Sequence, residues 1–290
     1  MNRLTALLLA LLLFLPPALT AGAEGSADPV SMLCLNVGKG DAILLTIGDL
    51  HYLVDTGYKR TADKLMEMLS RENVTHLNGV FLTHNHKDHY GGLDRLAKSK
   101  ITIDAFYTPA YCLDGIDAGH PAVQAAARRG QTVQLLQGGN VIEASDTARF
   151  TVLGPTVLNK NNENNNSLVM RLDTALGSIL LTGDMKSEEE YILLKSGVLA
   201  PVDVLKVPFH GDDTACGSAF LNAVRPRVGV ISTSTEEEPD TPSRDTLRRL
   251  AVIGCETYVT QDAKDAVLVT LTGETPTVRL IDWTGNADSD

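Results

Sequence analysis

The sequence predicts an α/β fold: two sheets packed face to face with helices on both outer faces, a sandwich in four layers. Three observations lead there. The first half of the chain gives strand-like runs and then helix-like ones, and the second half repeats that order. Apolar strands stop repeatedly at polar turns with glycine beside or near them, at Asp55, Asp184 and His210 and before His84. No stretch between residues 24 and 290 has the composition of a linker, so those residues read as one domain.

Residues 1–23 stand outside this fold. Asn2-Arg3 is a short positive segment, Leu4 to Leu15 is almost unbroken apolar sequence, Pro16-Pro17 interrupts it, and Ala21-Gly22-Ala23 has the small-residue pattern of a cleavage site. The run is short for a membrane span. It reads as a secretory signal peptide, which makes the mature chain a secreted, periplasmic or cell-envelope protein with no membrane span after cleavage.

Strands are expected over Met32 to Val37, Ala42 to Ile47 and His51 to Val54, then a helix over Thr61 to Arg71 with Leu65, Met66 and Leu69 as its apolar stripe. Gly79 to Leu82 is a short buried strand, followed by a helix over 91–98, a strand over 101–106 and an irregular stretch to His120. A helix from Ala122 to Arg129 and strands near 132–136, 140–143 and 149–153 close the first half. An asparagine-rich loop, Asn159 to Asn166, leads to a hairpin of Leu168–Leu172 and Ser178–Leu181. Helix 187–195, strand Val202 to Val207, helix 216–224 and strand Val228 to Ser232 come next. A helix from Pro242 to Ala251, with proline in its first turn, and two or three strands within 256–281 end the chain.

The net charge is −11, and removing residues 1–23 takes away only Arg3, leaving 24 basic against 36 acidic residues. Such a surface repels polyanions in general, so a long nucleic acid needs metal ions or a local basic strip to bind. Cys34, Cys112, Cys216 and Cys255 are widely spaced and match no zinc-ribbon pattern. Export permits disulfides, and buried free thiols fit equally well.

The strongest chemical signal is Phe81-Leu-Thr-His-Asn-His-Lys-Asp-His-Tyr-Gly-Gly92. His84, His86, Asp88 and His89 pack potential ligands into six positions at the end of an apolar strand, and three of the chain's seven histidines lie there. Three imidazoles and a carboxylate suit Zn²⁺, with Mn²⁺ or Fe compatible. Asp55, Asp184 and His210 also follow strand ends. Each alone is an ordinary turn residue; together with the histidine loop they form a candidate constellation. His51, His76 and His120 stand singly and read as structural or surface residues. Lys206, at a strand end, reads as a solvated lysine or a contact for a substrate anion.

These stretches, with Asn36-Val-Gly-Lys-Gly-Asp41, Asn166-Ser167-Leu-Val and Leu205-Lys-Val-Pro-Phe-His-Gly211, resemble the metallo-β-lactamase superfamily over nearly all of residues 24–290. More narrowly, they are similar to the hydrolase domain of bacterial competence DNA-uptake channel proteins, here standing alone behind a signal peptide. The resemblance implies an αββα sandwich of the metallo-β-lactamase type and one or two metal ions, Zn²⁺ first. It assigns His84 and His86 to one metal, Asp88, His89 and His210 to a second, and Asp184 as the bridge, with Asp88 and Asp184 at the centre of catalysis. Asp55 would orient a ligand imidazole. Asp41, Asn166, Ser167 and Lys206 would support the ligands or touch substrate. Two metals about 3.5–4 Å apart activate water and hold the non-bridging oxygens of a phosphodiester.

The chain also departs from the pattern. Many members supply a third histidine to the first metal where this chain has Asn164, Asn165, Asn166 and Ser167. His-His-Gly becomes Phe209-His210-Gly211, Gly-His-Pro becomes Asp240-Thr241-Pro242, and Lys39 replaces the usual glutamine. The leading expectation is a metal-dependent hydrolase of a phosphodiester, either nucleic acid or a cell-envelope polymer. The alternatives are a lactam, lactone or thioester hydrolase, and a non-catalytic exported binding protein with a degenerate metal site. A diiron redox role is disfavoured, because such members carry a carboxylate where His86 stands. No protein partner is implied.

Cleavage after Ala23 predicts a mature N-terminus near Glu24. Intact-mass analysis of exported material checks it, and full-length chain beginning at Met1 in the membrane fraction would refute it.

Overall fold

The protein is described here by a computed structural model covering residues 28–284. The signal-peptide expectation therefore lies outside the described residues. Among those residues no helix is long and apolar enough to cross a membrane.

Alternation along the strands builds the layers. In Val30–Leu35, Met32 and Cys34 face the other sheet while Leu33 and Leu35 face helices; in Ile43–Ile47, Ile43, Leu45 and Ile47 face inward and Leu44 outward. Strands buried on both faces read as continuous apolar runs. The first sheet has eight strands, in the order Thr277–Ile281, Ala266–Leu271, Val30–Leu35, Ile43–Ile47, Leu50–Val54, Gly79–Phe81, Phe106–Pro109 and Val133–Leu136. The second has seven, in the order Glu256–Val259, Val228–Ile231, Val204–Lys206, Gly177–Leu181, Val169–Thr174, Ala148–Gly154 and Val141–Ser145.

Three apolar clusters separate four layers. The middle one, with Tyr52, Phe81, Phe150, Met170 and Val230, joins the sheets. A second packs helices Ala62–Arg71, Leu93–Ala97 and Pro121–Arg128 on the first sheet. A third packs Ser187–Ser196, Ser218–Val224 and Arg244–Val252 on the second. The expected sandwich is thus observed. In helix Ala62–Arg71, Leu65, Met68 and Leu69 are buried, and Met66 lies at the edge of the same cluster.

Both sheets change from antiparallel to parallel at one strand pair, and those pairs position the site. Leu50–Val54 pairs antiparallel with Ile43–Ile47 and parallel with Gly79–Phe81. Gly177–Leu181 pairs antiparallel with Val169–Thr174 and parallel with Val204–Lys206. Asp55, His84, Asp184 and His210 follow the C-terminal ends of these four parallel strands. Parallel strands end on one edge, so the four turns gather together, as at the switch point of other open α/β sheets.

Several boundaries differ from expectation. The strand expected over 101–106 is two short ones, Thr102–Ile103 and Phe106–Pro109. The second belongs to the main sheet because Phe106 packs toward the helices and Tyr107 between the sheets. Pro242 is not in the first turn of its helix: Arg244–Val252 starts after Ser243, whose Oγ accepts from Thr246 N at 3.1 Å. The asparagine loop contains a short 3-10 turn, Glu163–Asn166, with Asn164, Asn165 and Asn166 buried. All four cysteines are buried free thiols.

Helix Ser187–Ser196 also buries Glu189, 1% exposed, and neither carboxylate oxygen has a hydrogen-bond partner among the described residues. Burial pushes this carboxyl up to about 7 from 4.5. A raised folded-state value means its contribution to stability is fully present below about pH 4.5 and lost as pH rises through about 7. Glu189→Gln should therefore raise Tm at pH 8 by roughly 5 °C and change it little at pH 5. Equal shifts at both pH values in thermal melts would contradict this.

Candidate metal centre

Asp55 ends its strand in the left-handed region, φ 58°, which turns its carboxylate under the histidine loop. It accepts from Thr83 N at 2.8 Å and Thr83 Oγ1 at 2.6 Å, and it holds His89 Nδ1 at 2.7 Å. Thr83 Oγ1, its proton given to Asp55, stands 3.1 Å from His84 Nδ1 and accepts from it. Asp55 therefore fixes two imidazoles, one directly and one through Thr83, and turns both Nε2 atoms toward Asp184, where a bound ion would displace any proton they carry. On the other sheet, His210 Nδ1 donates to Ser232 O at 2.8 Å, which turns its Nε2 there in the same way.

The three Nε2 atoms meet at Asp184. Its Oδ2 lies 3.6 Å from His84, 3.3 Å from His89 and 3.2 Å from His210. Asp88 Oδ2 stands 3.7 Å from His210 Nε2 and 3.9 Å from His89 Nε2. His86 Nδ1 is 2.9 Å from His84 Nε2. The ligand atoms fall into two groups that share Asp184: Asp88, His89, Asp184 and His210, and His84, His86 and Asp184, each within 4.8 Å.

Glycine makes this convergence possible on the second sheet. Gly183 has φ +49°, and a Cβ there would lie 2.9 Å from Ser167 Cβ and 3.0 Å from Thr83 Cβ. Ser167 Oγ in turn accepts from Asp184 N at 3.1 Å. Phe209 and His210 are both left-handed, φ 46° and 55°. That conformation is costly for bulky residues; it turns the His210 ring inward while Phe209 lies against Lys186, Nζ 4.3 Å from the ring centroid.

A metal fits these residues. His89 Nε2, His210 Nε2 and Asp184 Oδ1 are buried without a hydrogen-bond partner among the described residues. Burial holds His84 well below the usual histidine value, with His89 adding to it. His89 is opposed by burial, yet the carboxylates of Asp184 and Asp55 hold it well above. Burial opposes Asp184 ionising too, but His210 and His89 keep it well below the ordinary carboxylate value. Buried anions and imidazoles this close suit a cation, which replaces their protons.

Of the remaining expected site residues, Asp41 and Lys206 form a buried ion pair, Nζ to Oδ2 2.9 Å, both 1% exposed. Lys206 also donates to Val207 O. It is therefore not solvated: it lies on the inward face of its strand, in step with Val204. Asp41 braces the ligand loop, its N–H donating to Asp88 O at 3.2 Å. The Asn166 amide accepts from Asn159 N at 2.7 Å and donates to Asn159 O and Glu163 Oε2, so it closes its own loop beside Ser167.

Thr83 and the carbonyl of Ser232 were not anticipated. Thr83 stood inside the histidine motif, but Ser232 acts through its backbone and leaves no side-chain signal. The substitution at Lys39 gains a physical reason: Nζ pairs with Glu238 at 3.0 Å, and Arg60 pairs with Glu237 at 2.6 Å. His51 and His76 sit away from the centre, beside Thr46 and Asp104. His120 is buried outside both ligand groups.

Residues 35–235 match the metallo-beta-lactamase superfamily. The chain belongs to that superfamily, a metal-dependent hydrolase family. It is 26% identical over 259 residues to ComE operon protein 3 of Bacillus subtilis, covering 82% of this chain and 32% of that protein. Competence protein ComA of Neisseria gonorrhoeae is 28% identical over 199 residues, covering 68% of this chain and 26% of that one. The chain thus spans about a third or less of these relatives' length. Among solved structures, the metallo-beta-lactamase fold protein YhfI from Bacillus subtilis aligns with TM-score 0.57 at 18% identity, over 84% of this chain and 100% of that one. CmlA, a diiron beta-hydroxylase from Streptomyces venezuelae, aligns with TM-score 0.53 at 13% identity, over 87% and 55%. At these identities the likeness is one of fold.

Removing Lys206 alone would strand the Asp41 carboxylate. Lys206→Met should cost about 3–5 kcal/mol in urea denaturation, and Asp41→Asn/Lys206→Met should recover most of it. A single variant that loses less than about 1 kcal/mol would show that the pair does not brace the site.

Proposed function

We propose that this protein is an exported metal-dependent hydrolase of phosphodiesters. The observation that carries the reading is the pair of ligand groups sharing Asp184. His84, His86 and Asp184 would hold one ion, and Asp88, His89, His210 and Asp184 the other. Zn²⁺ suits these donors best, with Mn²⁺ and Fe as alternatives. A dinuclear centre supplies water activation and charge neutralisation at two oxygens of an in-line displacement.

The chain's own residues prepare that centre. Asp55, Thr83 and the Ser232 carbonyl fix ring tautomers, so no reorientation is needed when a ligand arrives. His84, His89, His210 and Asp184 are at most 2% exposed and form a dry floor, which strengthens electrostatics there. Asp88, with 16% of its side chain exposed, faces the opening. Export rests on Leu4 to Leu15 and the Ala21-Gly22-Ala23 site. The substrate class rests on the shared sequence motifs and on the likeness to competence proteins.

The ligand groups are unequal. Where many members have a third imidazole, the Asn166 amide is committed to Asn159 and Glu163, and Ser167 Oγ to Asp184 N. Metal titration should give two unequal affinities, the His84–His86 group the weaker. With Zn²⁺ or Mn²⁺ added, bis-p-nitrophenyl phosphate should turn over faster than nitrocefin or a homoserine lactone. Asp88→Ala and His86→Ala should each lower that rate at least about 100-fold. Turnover of lactam or lactone alone would shift the substrate class. No turnover of any of them, with no metal taken up, would leave a binding protein.

A further inference from the structure

We propose that Lys39 is the phosphate-binding cation at the mouth of the metal centre and that Glu238 is its built-in competitor, a carboxylate that substrate must displace; this rests on the phosphodiester reading above. The two residues come from opposite sheets. Gly38-Lys39-Gly40 belongs to the turn after Val30–Leu35, and Glu238 to the segment after Val228–Ile231. Lys39 Nζ and Glu238 Oε2 meet at 3.0 Å.

Both loops are tied to metal ligands. A Cβ on Gly40 would lie 2.6 Å from Asp88 O, and the next residue, Asp41, donates its N–H to that oxygen at 3.2 Å. Lys39 is thus carried past Asp88, the ligand that faces the opening. Burial works against its charge, yet Glu238, and then Asp88 and Asp184, hold Lys39 above the ordinary lysine value. The cation therefore stands in the field of the ligand carboxylates. On the other sheet, Ser232 O holds His210 Nδ1 at 2.8 Å, and the chain reaches Glu238 six residues later. That stretch is a built turn. Thr235 N donates to Gln261 Oε1 at 2.8 Å, and Glu237 N and Glu238 N both donate to Ser234 O, at 3.0 and 2.9 Å. Thr241 closes it on Glu238 O, through N at 3.0 Å and Oγ1 at 3.1 Å. Glu237 anchors the turn across the gap by pairing with Arg60 at 2.6 Å, whose guanidinium lies 3.7 Å from the Tyr58 ring centroid.

An anchored backbone thus presents one carboxylate to one lysine. The contact itself is exchangeable: the side chains of Lys39 and Glu238 are 23% and 42% exposed, and ion pairs so open to water contribute little. As a clasp between the sheets it would be redundant, because the apolar interface of Tyr52, Phe81 and Phe150 already joins them. A phosphoryl group offers Lys39 charged oxygens while bound metal holds the others, so it takes the cation from a single carboxylate. A neutral lactone has no anion to exchange and leaves the pair intact. Lys39 and Glu238 together therefore favour phosphoryl substrates over uncharged esters.

Titration calorimetry on the mature chain with Zn²⁺ added tests this, using phenylphosphonate, which has phosphoryl oxygens and no ester to cleave. Glu238→Gln should tighten binding about fivefold, the effect of removing one exposed competing ion pair. Lys39→Met should weaken it at least about tenfold, and Lys39→Arg, which keeps the charge, by less than about twofold. In Lys39→Met/Glu238→Gln the gain from removing Glu238 should vanish, because no cation is released. Glu236→Gln/Asp240→Asn takes two charges from the same turn, neither of them in an ion pair among the described residues, and should change binding less than about twofold. A gain of equal size from that double, a gain from Glu238→Gln that persists without Lys39, or no binding by the parent chain overturns the proposal. Lowered Tm with unchanged binding in both single variants would leave only a clasp and overturns it too. Turnover of bis-p-nitrophenyl phosphate judges the hydrolase reading separately. Turnover without these binding shifts sinks only the competitor, and the shifts without any turnover sink only the hydrolase.

Discussion

The hydrogen bonds of Asp55 are the constraint on which the rest of the site depends. A carboxylate with no exposure, placed at a strand end in a left-handed turn, takes two donors from Thr83 and one from His89. Burial pushes its carboxyl up, against the pull of His89. Those contacts decide which nitrogen of His84 and of His89 carries the proton, and so which faces Asp184. An imidazole in the other tautomer would point an N–H at the place where a lone pair is required. The Lys206–Asp41 pair plays a mechanical part alongside it, by tying the second sheet to the loop that backs Asp88.

Much of this was legible in the chain. The H-x-H-x-D-H loop is local, so its spacing alone places four ligand-type groups at one strand end. Asp55, Asp184 and His210 could be found because buried strands leave a plain apolar run that stops at a polar turn. The layers followed from the repeated order of strands and helices. Side-chain direction was harder. Lys206 was read as a solvated strand-end lysine or a contact for a substrate anion, yet the two-residue period that turns Val204 inward turns Lys206 inward too. The amide bonds of Asn166 were hidden for another reason: they close its own loop, and only the positions of Asn159 and Glu163 reveal them.

Charge is divided unevenly around the opening. Lys39 and Arg60 are matched to Glu238 and Glu237 from the segment after Val228–Ile231, so residues of the second sheet reach across to loops of the first. Gly38 allows that crossing, since a Cβ there would fall within 2.1 Å of Glu237 Oε1. Lys39 thus meets a carboxylate from a residue nearly two hundred positions away in the chain.

The two ligand groups draw on both sheets: His84, His86, Asp88 and His89 come from one, and Asp184 and His210 from the other. Neither sheet can complete a ligand group by itself. An ion held there would act as a rivet through the middle of the sandwich, resisting any sliding of one sheet over the other. Unfolding would have to release the ion before the apolar interface could shear, so occupancy would slow the opening of the whole domain as well as stabilise it at equilibrium.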